Sequence, residues 1–350
     1  MTVSRLVALA FALMLAACSQ SNQAAAPAQQ GGARTVIRFA TDWRAEAEHG
    51  GFYEALANGE YARRGLDVRI IQGGPNVNVP QLLASGGVEL GVGSNSFIVM
   101  NLANENVPVR AVAAFMQKDP QVLIAHPGQG IRTIADMRGH PILLSDASRT
   151  AFWVWLRARY HFTDSQVRAY NFSSAPFLAD PRVVQQGYLT SEPYTIEHEG
   201  HVRPQVFLLA DEGYPGYAAM VLAPDRLIAS NPAAIRAFNE ASAIGWRQYL
   251  HGDPSPADRL ILRDNPEMTQ DVLNQAREKM RQYGIIESGD TTHLGIGAMT
   301  EARWRTFFQI ASGQNVYPRT LDYHRAYTLD FLPGRNPGAP RNAVTPAAAH

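Results

Sequence analysis

Polar and aromatic side chains directly follow the first apolar strand of this sequence. Thr35–Thr41 is rich in strand-forming residues, and Asp42-Trp43 comes immediately after it. In open α/β sheets, ligands bind outside the carboxyl ends of the strands, where a Trp offers a flat π face and an Asp a fixed acceptor. The alternative is a core Trp beside a loop-capping Asp. His49 either binds ligand or caps the following helix, and Tyr53 either contacts ligand or packs into the core.

Polar residues also follow the second and third predicted strands. Asn76 ends the segment Gly73-Gly74-Pro75-Asn76, where it either contacts a ligand or caps the next helix. Ser94 and Asn95 again stand between a strand and a helix. The glycines let backbone N–H groups approach a ligand, but the Walker lysine and the Rossmann spacing are missing. We therefore predict a ligand site here without assigning it to phosphate.

A third candidate lies further along the chain, between a predicted strand and a helix. The free N–H groups at the start of that helix favour an anion or a carbonyl oxygen. Ser148 and Arg149 are the candidate ligand contacts, and Arg149 can add a charge-assisted hydrogen bond. Asp146 opposes an anion at the same place.

Composition and motifs exclude several classes of chemistry. The sequence contains neither a Gly-x-Ser-x-Gly elbow nor a His-Glu-x-x-His helix, and the segment His198–His201 offers no nameable third zinc ligand. Cys18 is the only Cys, so an internal disulfide, a CxxC site and a cysteine-ligated metal are excluded. The 31 basic and 31 acidic residues give no charge excess for nucleic acid. We expect no catalytic residue, no metal, no cofactor and no nucleic-acid partner.

The elements that must position these residues alternate between short strands and helices. Phe52–Arg64 is predicted as a helix ended by Gly65, and Asp180-Pro181 is predicted to open another that Gly187 closes. Helices predominate beyond Pro224. This order predicts an α/β protein with mostly parallel sheets. The predicted helix caps of the last third are Asn231, Thr269 and Thr300.

The first 18 residues have the pattern of an export signal. Arg5 precedes an apolar run, Leu6–Ala17, that is too short to span a bilayer and ends at Cys18. Leu15-Ala16-Ala17-Cys18 resembles the lipobox of bacterial lipoproteins; an ordinary signal peptide with a chance Cys is the alternative. We expect a signal peptide over 1–17, a lipidated Cys18 that begins a flexible tether over 18–34, and a disordered tail over 334–350. The folded part would then lie in the periplasm or at the cell surface, tied to a membrane.

Five segments occur in the order and spacing of a known family, over roughly residues 35–330. They are Asp42–Tyr53, Gly65–Val68, Leu82–Val92, Ile134–Gly139 and Gln185–Tyr194. They resemble ABC-transporter substrate-binding proteins of the nitrate/sulfonate/taurine and thiamine-pyrimidine group. The resemblance implies the type II periplasmic binding protein fold, with two α/β lobes around a ligand cleft. Lobe I would comprise 35–122 plus 222–333, and lobe II 123–221.

This resemblance implies a monomer that captures a small polar metabolite and delivers it to an ABC permease and its ATPase. As in the pyrimidine binders, Tyr188 would stack on a ring and Glu192 would accept from an exocyclic amine, unless Glu192 is merely a surface residue. The expected ligand is a thiamine pyrimidine precursor or a similar amine-bearing heterocycle. Ala45, Glu46 and Glu48 replace the family's Pro, Asn and Asn. The added carboxylates favour a cationic or amine-rich ligand over nitrate, taurine or another sulfonate, which are the alternatives.

One branch of the same superfamily is enzymatic and gives a further alternative. It is a single-turnover synthase that makes the thiamine pyrimidine from pyridoxal phosphate and its own His. That branch carries a Lys and a His after the third strand and a Cys-rich iron motif. Gly91–Val99 contains neither Lys nor His, and a Schiff base cannot form without a Lys amine. We therefore expect a binding protein and not an enzyme.

Overall fold

The computed structural model describes residues 33–75 and 77–334, and ten strands lie within these ranges. The predicted signal peptide, Cys18, most of the tether, Asn76 and nearly all of the predicted tail fall outside the described residues. The strands are β1 (Thr35–Ala40), β2 (Leu66–Ile71), β3 (Leu90–Asn95), β4 (Val109–Met116), β5 (Gln121–Ala125), β6 (Ile142–Leu144), β7 (Val167–Ala169), β8 (Val184–Tyr188), β9 (Gln205–Leu208) and β10 (Ala218–Pro224).

These strands form two five-stranded sheets, each the centre of one α/β lobe. The first lobe contains the sheet β2-β1-β3-β10-β4, and the second lobe contains β7-β6-β8-β5-β9. The predicted two-lobed α/β fold is therefore confirmed, while the lobe boundaries stay a prediction. The chain passes between the sheets twice, at 117–120 and at 209–217.

Both sheets are mixed, so the prediction of mostly parallel sheets is wrong. Strand β1 is parallel to β2 and β3, and β6 is parallel to β7 and β8. Strand β10 is antiparallel to β3 and β4, and β5 is antiparallel to β8 and β9. The chain reaches β5 and β10 directly from the other sheet, without the crossover helix that makes neighbouring strands parallel.

Fourteen α-helices lie within residues 33–75 and 77–334. They are α1 (Gly50–Ala57), α2 (Glu60–Arg63), α3 (Val79–Ser85), α4 (Ser96–Asn104), α5 (Asp146–Arg149), α6 (Phe152–Tyr160), α7 (Ala175–Ala179), α8 (Glu192–Gly200), α9 (Asp225–Ser230), α10 (Pro232–His251), α11 (Ser255–Asp264), α12 (Gln270–Gln282), α13 (Thr291–Leu294) and α14 (Glu301–Gly313). None of the described helices is long and apolar enough to cross a membrane.

Two of the predicted helices differ from the structure. The segment predicted as one helix, Phe52–Arg64, is divided between α1 and α2, because Gly59 has a φ of 72° and breaks the turn. Asp180-Pro181 does not open a helix. It follows α7, and the Asp180 carboxylate accepts a hydrogen bond from the Arg182 N–H in the turn that leads into β8.

The caps of the last third are confirmed. The Asn231 side chain accepts from the Ala234 N–H at the start of α10, and Thr269 and Thr300 cap α12 and α14 in the same way. Helix α10 lies along the core of the first lobe. Its Phe238 and Trp246 pack against Phe39 of β1 and Phe52 of α1, with ring centroids 4.8–6.3 Å apart. This core fixes α1, and hence the residues that precede it.

Candidate functional site

Hydrogen bonds within the loop between β1 and α1, and from the segment that follows β2, fix the position of that loop. The Thr41 hydroxyl donates to the Trp43 carbonyl oxygen at 2.7 Å, and the Gly73 N–H donates to the same oxygen at 3.0 Å. A Cβ atom at Gly73 would lie 2.3 Å from the Thr41 carbonyl oxygen, so only glycine permits this contact. The Gly73 N–H is therefore engaged within the protein and positions Asp42-Trp43.

Asp42 is the centre of a hydrogen-bonded group at the carboxyl ends of β1 and β3. The Ser94 hydroxyl donates to one carboxylate oxygen of Asp42, and His49 Nε2 lies 2.9 Å from the other. Burial raises the pKa of Asp42, but the hydrogen bond and charge of His49, with the Ser94 hydroxyl, outweigh it and leave that pKa below its usual value. Asp42 thus stays ionised. The buried His49 Nδ1 has no hydrogen-bond partner among the described residues.

Two further carboxylates come from the same loop. Glu48 is buried and accepts a hydrogen bond from the Thr190 hydroxyl of the second lobe. Burial raises the pKa of Glu48, although the bond from Thr190 lowers it. Burial, followed by the charges of Glu48, Asp42 and Glu192, holds the pKa of Glu46 well above its usual value. Because a raised pKa favours the protonated carboxyl, this wall of the cleft gains from a bound positive charge, which stabilises the ionised, accepting forms of Glu46 and Glu48.

The second lobe contributes Tyr188, the last residue of β8, and Glu192, the first residue of α8. One Glu192 oxygen accepts from the Tyr188 N–H at 2.8 Å, and the other accepts from the Tyr170 hydroxyl at 3.3 Å. Burial raises the pKa of Glu192 despite the bond from the Tyr188 N–H. Gly187 makes room for this carboxylate, because a Cβ there would lie 2.9 Å from the Glu192 Cβ. Both oxygens are thus engaged within their own lobe, and a ligand amine would share them.

A cavity of about 10 Å³ lies between the lobes at this group. That volume is roughly one water molecule, so a ring-sized ligand enters only if the lobes move apart. Four of the predicted site residues line the cavity, namely Asp42, His49, Ser94 and Tyr188. The other lining residues are Glu46, Glu48, Val92, Met116 and Ala219.

The remaining predicted site residues of the first lobe lie elsewhere. Trp43 is half-buried and contacts Phe172 of the second lobe, with ring centroids 4.4 Å apart. Tyr53 is fully buried in the core of the first lobe, with its hydroxyl 3.2 Å from an Asp264 oxygen. The Asn95 side chain caps α4. Tyr53 and Asn95 thus have structural partners, and their roles as ligand contacts stay predictions.

Ser148 and Arg149 do not reach this cavity. The Ser148 hydroxyl lies 2.9 Å from the Ser145 hydroxyl, which caps the four-residue helix α5. Arg149 is exposed. The anion site predicted here also stays a prediction, and within the described residues no group of three His, Cys, Asp or Glu side chains could hold a metal ion.

Sequence reasoning left several cavity residues out of the predicted site. Glu46 and Glu48 depart from the residues that the family has in the segment Asp42–Tyr53. Such departures within a family motif are a signal for residues that determine ligand preference. Thr190, which bonds to Glu48 without lining the cavity, lies two residues after Tyr188, within a segment that carries the resemblance. Ala219 gave no signal: it is a buried non-glycine residue with a φ of 43°, a strained conformation of the kind that clusters at binding sites.

Known proteins with similar sequences are binding proteins by name. The riboflavin-binding protein RibY of Chloroflexus aurantiacus is 25% identical over 292 residues, which cover 81% of this chain and 82% of RibY. The formylaminopyrimidine-binding protein of Halalkalibacterium halodurans is 24% identical over 319 residues, covering 86% of this chain and 90% of that protein.

Solved structures share the fold at lower identity. The alkanesulfonate-binding protein SsuA from Xanthomonas axonopodis pv. citri, bound to MOPS, has a TM-score of 0.58 at 11% identity, covering 85% of this chain and 99% of SsuA. A Candida albicans protein described as having the generic periplasmic binding protein fold has a TM-score of 0.60 at 12% identity, covering 84% of this chain and 96% of that protein. The desulfurization enzyme DSZB has a TM-score of 0.52 at 12% identity, covering 85% of this chain and 97% of DSZB. These similarities confirm the predicted fold class.

The family is identified by a sequence profile described as NMT1/THI5 like, which matches residues 46–257. The match spans more than half of the chain and includes Glu46, Glu48 and His49 of the first lobe together with Tyr188 of the second. The predicted resemblance is confirmed, and this protein belongs to the NMT1/THI5-like family.

Proposed function

We propose that this protein is an extracytoplasmic solute-binding lipoprotein that captures a small amine-bearing heterocycle and delivers it to an ABC importer. One observation carries the proposal: the cavity between the lobes is lined by the acceptors Asp42, Glu46 and Glu48 and by the ring of Tyr188. Exocyclic amines supply the N–H donors that such a wall requires, and a flat ring supplies a face for an aromatic side chain.

The relatives' names support this class of ligand. Both riboflavin and a formylaminopyrimidine are planar nitrogen heterocycles with N–H donors. Riboflavin offers a ring N–H, whereas the formylaminopyrimidine carries an exocyclic amine and is the kind of thiamine pyrimidine precursor that the sequence resemblance favours. A sulfonate or nitrate fits less well, because an anion would meet three carboxylates. Export and lipidation at Cys18 would place the protein beside its permease, as the lipobox resemblance favours.

A thermal-shift screen of residues 19–350 tests the proposal with riboflavin, aminopyrimidines, polyamines, taurine and nitrate. A ligand at 100 times its dissociation constant stabilises the folded protein by about 2.7 kcal/mol. We expect amine-bearing heterocycles to raise the melting temperature. Glu46→Gln or Glu48→Gln should reduce that shift, whereas Glu105→Gln, an exposed control, should not. A shift produced only by taurine or nitrate, or by no compound, contradicts the proposal.

A further inference from the structure

Phe172 is an exposed aromatic residue at the contact between the lobes. It lies three residues beyond β7, and 41% of its surface is exposed. Its ring centroid is 4.4 Å from that of Trp43 in the first lobe, with the ring planes at 45°. The ring of Tyr170 lies 5.2 Å away on its own lobe.

The backbone of Phe172 is unusual for a bulky residue. Its φ of 65° lies in the left-handed region, which side chains with a large Cβ substituent rarely adopt. A glycine at this position would adopt the same φ without strain. The exposed Phe172 side chain contributes little to the hydrophobic core. Backbone strain of this kind clusters at ligand-binding and active sites.

We propose that Trp43 and Phe172 form an aromatic clamp, one ring from each lobe, that takes a planar heterocycle between them when the lobes close. This inference rests on the proposed function and names the residue that faces Trp43. Carbon atoms in contact are about 3.5–4.0 Å apart, so a ring inserted between the two would hold them roughly 7 Å apart. The present 4.4 Å separation must therefore widen by about 3 Å, which is a small movement of one lobe against the other.

The clamp is connected to the acidic cavity through one side chain. The Tyr170 ring packs against Phe172, and its hydroxyl donates to Glu192, which in turn accepts from the Tyr188 N–H. Tyr188 lines the cavity beside Asp42. A ligand could therefore place its ring between Trp43 and Phe172 and direct its amine toward the carboxylates. In this arrangement Tyr188 lies beside the amine, and Phe172 takes the stacking role that the sequence resemblance gave to Tyr188.

The test measures binding of riboflavin and of 4-amino-5-hydroxymethyl-2-methylpyrimidine to the native protein and to four variants. The variants are Phe172→Leu, Phe172→Tyr, Phe172→Gly and, as a control at an exposed apolar position, Leu294→Ala. Stacking on an aromatic partner predicts a dissociation constant about 3–10-fold higher for Phe172→Leu, native affinity for Phe172→Tyr and no change for Leu294→Ala. A titration of riboflavin fluorescence should reach half of its full quenching at a correspondingly higher protein concentration in Phe172→Leu.

Phe172→Gly separates binding from stability. Because glycine tolerates a φ of 65°, this variant should unfold at the native temperature or above it while its affinity falls further than that of Phe172→Leu. Native affinity and native quenching in Phe172→Leu, with at least one compound binding the native protein, would overturn the clamp and leave the proposed function intact. Binding of neither compound to the native protein would contradict both.

Discussion

Asp119 is a buried carboxylate in the first segment that joins the two sheets. Only 3% of the residue is exposed, and its Oδ1 accepts a hydrogen bond of 3.0 Å from the Gln121 N–H. Burial raises its pKa to about 7, against the lowering effect of that N–H, and the charge of Asp42 raises it further. The folded protein therefore binds this proton more tightly than the unfolded chain does. Its contribution to stability is complete only well below the ordinary pKa of 3.8 and is lost as the pH rises through about 7.

Asp119→Asn should remove this pH dependence. The Asn Oδ1 can accept the same Gln121 N–H, and no charge is buried at high pH. We expect the free energy of unfolding at pH 8 to rise by roughly 1–4 kcal/mol, since each pKa unit corresponds to about 1.4 kcal/mol. At pH 3, where the carboxyl is protonated in both the folded and the unfolded state, the variant and the native protein should be equally stable. Urea unfolding followed by circular dichroism at both pH values measures the difference.

Asp136→Asn is the matched control, with the opposite sign. The exposed Asp136 carboxylate accepts from the Arg132 and Thr133 N–H groups and from the Thr133 hydroxyl, which lower its pKa. Its contribution is present at neutral pH and is lost as the pH falls through the lowered pKa. This variant should therefore lose stability at pH 7 and match the native protein in strong acid. Equal pH profiles for the two variants would contradict the role of burial at Asp119.

At the residue scale, the site residues that the sequence predicted correctly are those that lie at or directly after the end of a strand. Asp42, Ser94 and Tyr188 end or follow strands, and the structure brings them to one cavity. Tyr53 could not be placed, because only the register of α1 against α10 decides that its ring enters the core. Phe172 could not be found either, since its position depends on where a loop of one lobe meets the other.

Helices α1 and α10 approach each other more closely than side chains permit. A Cβ atom on Gly245 would lie 2.1 Å from the Gly51 carbonyl oxygen and 2.7 Å from the Ala55 Cβ. Glycine at this position therefore sets the separation of the two helices. Because α1 begins immediately after His49, this separation also sets the position of the candidate site.

Gly245→Ala should destabilise the protein, although alanine is the better helix former. The helical preference of Ala over Gly contributes about 1 kcal/mol, whereas forcing a methyl group into a packed interface costs about 1–3 kcal/mol and displaces α1. We expect a lower free energy of unfolding in urea and weaker binding of any compound that stabilises the native protein.

Gly313→Ala is the control for this prediction. Gly313 ends α14, and a Cβ there would have no atom within 4 Å. This variant should be as stable as the native protein or up to about 1 kcal/mol more stable. If Gly245→Ala were equally stabilising, the helices would have room that the structure does not give them.

At the element scale, local signals predicted helix starts better than helix extents. Side-chain capping needs only an Asn or Thr at the correct position, so the starts of α10, α12 and α14 were predictable. The break at Gly59 was not, because an isolated glycine is tolerated in many helices. Asp180-Pro181 does not distinguish a helix from a turn, since the same pair of residues starts helices and forms turns. The apolar run Val183-Val184 beyond it suits a buried strand as well as a helix.

The whole molecule is held in its present form by contacts between the lobes. The Thr190 hydroxyl of the second lobe donates to Glu48 of the first, and the Gln275 side chain of α12 donates to the Thr190 carbonyl oxygen. Further from the cavity, the Asn101 side chain donates to the Thr150 carbonyl oxygen at 3.4 Å. A ligand must separate these groups to enter, so their strength sets the balance between open and closed lobes.

Thr190→Val should shift that balance toward the open form. Valine has nearly the shape of threonine but leaves the buried Glu48 carboxylate without its hydroxyl donor when the lobes close. An unsatisfied buried acceptor costs about 1–3 kcal/mol, which corresponds to a dissociation constant roughly tenfold higher, or more, for the ligand found by the thermal-shift screen. Small-angle X-ray scattering of the ligand-free variant should give a larger radius of gyration than that of the native protein.

Two controls make this result specific to the Glu48–Thr190 contact. Thr195→Val removes the hydroxyl of a half-buried threonine that, among the described residues, donates to the Ser191 carbonyl oxygen of its own lobe, and it should change neither measurement. Glu48→Leu combined with Thr190→Val removes donor and acceptor together, so the scattering profile should return toward that of the native protein even though the acidic wall of the site is weakened. Because this recovery is measured without ligand, it does not depend on the ligand's identity. An unchanged radius of gyration in Thr190→Val would mean that closure is governed by other contacts, with Trp43 and Phe172 the next pair to separate.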